Sequence, residues 1–90
     1  MISKVKQPAE NLDYDFDFSA AFPSGDNIST ATGIVTPTGL TLGTKVINGQ
    51  IVKQWISGGI DGVTYKVTIT ATSTAGRIME LELELLVNNT

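Results

Sequence analysis

The side chains best suited to chemistry in this sequence are carboxylates set at every second position. Asp13, Asp15 and Asp17 form one row, and Glu80, Glu82 and Glu84 form another. Paired carboxylates can cleave glycosidic bonds as acid and base, and a D-x-D-x-D run can open a calcium loop. Glycoside chemistry needs a cleft between the carboxylates, whereas neighbours along one flat strand, roughly 6.8 Å apart, make none. A calcium loop needs Gly at its sixth position and Glu at its twelfth, where this chain has Phe18 and Ser24. Gly58-Gly59-Ile60-Asp61-Gly62 is Gly-rich, but no Lys-Ser/Thr and no helix follow, so a phosphate cradle is not expected. The chain also lacks His and Cys. That removes the commonest general base, the thiolate nucleophile, the Ser–His–Asp triad and thiolate metal sites. The expectation is no enzyme, no cofactor and no metal, with both acidic rows as solvated strand faces. Calcium on the Asp13/Asp15/Asp17 row stays open as the alternative.

The elements that would carry these rows are strands. Twelve Thr and nine Ile in 90 residues, 41% apolar overall, favour pleated backbone. No stretch repeats apolar residues at helical spacing. Gly and Pro punctuate the chain at short intervals, as in a small sandwich or barrel. Residues 1–11 read as an N-terminal arm, with a short edge strand at Lys4–Lys6, and residues 12–90 as a single β-sandwich domain. Leu12, Tyr14, Phe16 and Phe18 alternate with the three aspartates, which predicts a half-buried strand. Residues 28–36 form the next strand, after a loop over residues 21–27. A net charge of −3 argues against a nucleic-acid partner. Apolar runs of only a few residues argue against a membrane partner. The opening Met1–Lys6 has no apolar leader segment, so the chain is expected to be intracellular at synthesis.

Two hairpins follow. Asn48-Gly49 between β-branched runs predicts a two-residue turn pairing Ile47 with Gln50 and Leu42 with Trp55. On that register Leu42, Val46, Ile51 and Trp55 are expected in the core, with Ile47, Val52 and Ile56 on the other face. In the last hairpin, matching the apolar faces sets Ala71 opposite Met79, Ile69 opposite Leu81 and Lys66 opposite Glu84. The loop is then Thr74-Ala75-Gly76, with Gly at the position that needs a left-handed backbone. Between the hairpins, Gly58, Gly59 and Gly62 permit a sharp crossing between sheets. Tyr65, just beyond, resembles the tyrosine corner of immunoglobulin-like sandwiches, whose hydroxyl bonds upstream backbone. The fold expected is therefore all-β: an immunoglobulin-like antiparallel two-sheet sandwich of six to seven strands. Trp55, Gly58, Gly59, Gly62, Tyr65 and Gly76 are its structural residues.

The order of segments resembles the fiber–tail adaptor proteins of tailed bacteriophages and prophages. The matching pieces are Lys6-Gln7-Pro8 with Leu12-Asp13-Tyr14, then Ser24-Gly25-Asp26-Asn27-Ile28, Trp55-Ile56-Ser57-Gly58-Gly59, the Gly62–Tyr65 corner and Thr72-Ser73-Thr74-Ala75-Gly76-Arg77. The resemblance implies a non-enzymatic virion component that joins tail, fiber or head–tail connector parts through protein–protein contacts. It implies other virion proteins as partners, homo-oligomerisation in the particle, and a path through the host bacterial cytoplasm during assembly. Lys4, Val5, Lys6, Phe22, Asp26 and Asn27, in the arm and the first long loop, are the expected contact residues. A small carbohydrate- or peptide-binding immunoglobulin-like module is the other reading.

Overall fold

The computed structural model describes residues 2–89, Ile2 by its backbone alone. Its elements are seven strands: β1 (Ile2–Lys6), β2 (Leu12–Asp17), β3 (Ile28–Thr36), β4 (Leu40–Asn48), β5 (Ile51–Gly58), β6 (Thr64–Ser73) and β7 (Ile78–Val87). They form a four-stranded sheet, β1-β7-β6-β3, packed on a three-stranded sheet, β2-β5-β4. If β2 to β7 are matched to immunoglobulin strands B to G, the sheets are C-F-G and B-E-D, the immunoglobulin arrangement. One pairing departs from the antiparallel expectation: β1 runs parallel to β7, with Ile2 opposite Leu83 and Lys6 opposite Val87.

The core is a layer of apolar side chains between the sheets. Phe16, Phe18, Phe22, Ile28, Val52 and Ile56 meet Val67, Ile69, Ala71, Leu83 and Leu85. Alternation in β6 and β7 places the last five of these inward and the Thr and Glu rows outward, so the last hairpin forms in the expected register. Ser73 N–H donates to Arg77 C=O at 2.8 Å, closing the loop, and Gly76 takes φ +91°. Met79 is 42% exposed although its direct partner Ala71 is fully buried. Leu12 is likewise exposed at the opposite extreme of the β2 alternation, where Phe16 and Phe18 are buried.

The Asn48-Gly49 hairpin needs two corrections. Asn48 pairs with Ile51, so Gly49 and Gln50 are the central turn residues. Only Gly49 has positive φ, which fits a type II′ turn and not type I′. The register then shifts between Leu42 and Lys45, a β-bulge in β4, and Leu42 pairs with Ile56 instead of Trp55. The extra residue turns Leu42 inward, away from the face it would share with Val46 and Ile51. Val52 and Ile56 are fully buried, while Val46 and Ile51 are exposed and Trp55 is half-buried. The expected core face of β5 is thus the outer face. The reason lies in β2: Phe16 pairs with Val52, and Asp13 with Trp55. Directly paired residues share a face, so the strict alternation of β2 carries Val52 and Ile56 inward.

Candidate functional site

The expected contact residues divide sharply. Lys4 and Val5 are exposed on β1, and Asn27 is exposed in the first loop. Lys6, Phe22 and Asp26 are buried, at 1%, 4% and 7% exposure, so they are not available as a partner surface. Lys6 donates from Nζ to the carbonyls of Gly58 at 2.6 Å, Gln7 at 2.7 Å and Pro8 at 3.3 Å. All three ammonium protons are used, and the first strand is pinned to the Gly-rich corner. Burial lowers the Lys6 pKa, and Glu10 partly opposes that. Phe22 stacks on Phe18, with ring centroids 5.9 Å apart, because the loop folds back into the core.

Asp26 ties the first loop to the last hairpin. Its Oδ1 accepts from Thr74 Oγ1 and from the Ala75 N–H, each at 3.1 Å, and its Oδ2 accepts from Arg77 at 2.6 Å. Desolvation pushes its pKa up, but the Ser73 hydroxyl, Arg77, the Ala75 N–H and the Thr74 hydroxyl outweigh it, and the value falls to about 2. Ile60 N–H donates to the Tyr65 hydroxyl at 3.0 Å. Gly62 N–H donates to Val87 C=O at 2.7 Å. Gly59 lies so close to β7 that a Cβ there would stand 2.6 Å from Val87.

Strand β2 is one edge of the three-stranded sheet. Phe18 N–H donates to Gln50 C=O at 2.9 Å, continuing the β2–β5 register by one pair. Hydrogen-bonded pairs alternate in an antiparallel ladder, so Leu12, Tyr14 and Phe16 bond to β5. The N–H and C=O groups of Asp13, Asp15 and Asp17 therefore point off the sheet edge. Beside that edge runs a groove of about 410 Å³ lined by Lys4, Asp13, Tyr14, Asp15, Phe16 and Leu83, at the seam between the two sheets. The Tyr14 hydroxyl is buried without a hydrogen-bond partner. Burial, then Glu10, raises its pKa.

The carboxylate rows lie on outer faces. Lys53 sits 3.5 Å from Asp13, and Lys66 sits 3.3 Å from Glu82, one step diagonal from its direct partner Glu84. Among the described residues no three acidic side chains converge as a metal would need. Trp55 borders an open hollow with Asn11, Gly43, Thr44 and Ser57. Sequence reasoning missed Gln54, fully buried between flanking outward residues. Its Nε2 donates to Gly43 C=O at 3.0 Å and Trp55 C=O at 2.9 Å, stitching the β4 bulge. Nothing local in the sequence marks a buried Gln; only the pairing of β5 with β2 does.

A family model described as podophage GP4 fiber-tail adaptor protein gp77 matches residues 6–86, from the buried Lys6 to the last strand. No curated protein matches the chain.

Proposed function

This chain belongs to the podophage GP4 fiber-tail adaptor protein gp77 family, and from that premise we propose that it is a non-enzymatic piece joining tail, fiber or head–tail connector components by protein–protein contacts. The family match across nearly the whole sandwich carries the reading. The architecture supports it: the molecule is 41 Å long and about 20 Å across, and its loops are braced at one end by Asp26 and at the other by Lys6 and Tyr65. Lys4, Val5 and Asn27 remain as contact residues, and several copies set around a tail would add weak contacts into useful avidity. The chain is made in the host cytoplasm and ends in the particle, with no nucleic-acid or membrane contact of its own. Mass-spectrometric inventory of purified particles tests this: the protein is expected in fixed ratio to tail proteins, and its absence from particles would remove the reading.

A second reading, a carbohydrate- or peptide-binding module, is favoured by one observation, the outward Trp55 beside its polar hollow. Trp55 is the single tryptophan, so its fluorescence reports on that hollow alone. Oligosaccharide and peptide titrations that both leave the emission unchanged discard this reading.

A further inference from the structure

Strand β2 ends its sheet without a neighbour, and we propose that this edge receives an extended strand from another virion protein, one with Lys or Arg at alternate positions and apolar residues between them. The inference rests on the adaptor reading and adds to it the surface and the partner's sequence pattern.

Four observations converge on the edge. The backbone groups of Asp13, Asp15 and Asp17 point outward and have no strand to meet. In the immunoglobulin constant arrangement a fourth strand lies beside this one. Here the chain's own first strand pairs with β7 in the other sheet, and that position is open. The groove along the edge is lined by the apolar Phe16 and Leu83, by Tyr14, and by Lys4 beside Asp13 and Asp15. An added strand hydrogen-bonds to the edge through its main chain and sends alternate side chains to the groove and to the outer face.

Charge selects the occupant. On the outer face the incoming side chains would stand opposite Asp13, Asp15 and Asp17. Lys53 already meets Asp13, and Asp17 accepts the Ser19 N–H at 2.9 Å. Asp15 makes no hydrogen bond or ion pair among the described residues. Opposite charges directly across a strand pair are favourable and like charges are not. A second copy of β2 would set aspartate against aspartate, so the row repels self-pairing while admitting a basic strand.

The test uses the full chain and three synthetic ten-residue peptides: alternating Lys-Val, alternating Glu-Val, and a block peptide of five Lys then five Val. The readout is amide hydrogen exchange, residue by residue. The Lys-Val peptide is expected to slow exchange at Asp13 and Asp15 at least tenfold, and the other two to leave it unchanged. Asp15→Lys should reverse the preference toward Glu-Val. Asp15→Pro, tolerated at a free edge, should abolish protection. Equal protection by the block or Glu-Val peptide, protection elsewhere, no protection at millimolar peptide, or an unchanged preference in Asp15→Lys overturns the proposal. Particle inventory separates the two readings. Wild-type protein present in particles with no edge protection defeats only the strand proposal, whereas absence from particles defeats the adaptor reading itself.

Discussion

Lys6 and Asp26 are the two charged side chains that folding takes out of water, and each joins segments far apart in sequence. Replacing Lys6 by Met strands the Gly58, Gln7 and Pro8 carbonyls and should cost about 1–3 kcal/mol, read as a lower urea midpoint. An unchanged midpoint would mean that water replaces the ammonium. Asp26 carries a pH signature. Its folded pKa of about 2 lies below the ordinary 3.8, so the stability it contributes is complete above pH 3.8 and is lost as pH falls through about 2. Asp26→Asn should therefore be less stable than wild type by a constant margin at neutral pH, with the margin closing in that acid window. Thermal melts of both proteins across pH 2 to 6 check this, and a margin that ignores pH would contradict it.

Among elements, the β6–β7 hairpin depends on one backbone position. Gly76 sits at φ +91°, and a Cβ added there would meet nothing within 4 Å, so a larger residue fits in space but not in conformation. Gly76→Val should destabilise by about 1–3 kcal/mol through backbone strain alone. The corner before β6 depends on a hydroxyl. Tyr65→Phe keeps the buried ring but strips the Ile60 N–H of its acceptor, at about 1–3 kcal/mol. Both are read from denaturant midpoints, and an unshifted midpoint for either would show that the turn or the corner has another support. The element least legible from sequence was β4. Its bulge is held by the Gln54 side chain from the neighbouring strand, and a bulge held from outside leaves no mark on its own residues.

At the scale of the molecule, the two sheets are bound to each other at both ends but differ at their margins. The β3 and β4 margins are joined by a short connection, Pro37–Gly39, whereas the β1 and β2 margins leave the seam open. The adaptor reading needs surfaces that other proteins can take without competing with folding, and the open seam is such a surface. Removing Met1–Lys6 should strip β7 of its parallel partner and the corner of its buried ammonium. We expect a fall in melting temperature larger than that of Lys6→Met alone; equality would reduce the first strand to its single lysine.

Strand identity, the last hairpin's register, the tyrosine corner and the outward acidic rows were legible in the sequence, because each follows from a period of two or from a residue with one permitted geometry. The fate of Lys6, Phe22 and Asp26 was not. Phe22 and Asp26 lie in a loop with no period to betray which way they face, Lys6 ends a short strand, and only the meeting of distant segments brought the Gly58 carbonyl to Lys6 and Thr74, Ala75 and Arg77 to Asp26. The same holds for the inner face of β5. Its own residues suit either side, and the choice was made by the strand beside it, since pairing in a sheet couples the faces of neighbours that the chain itself keeps far apart.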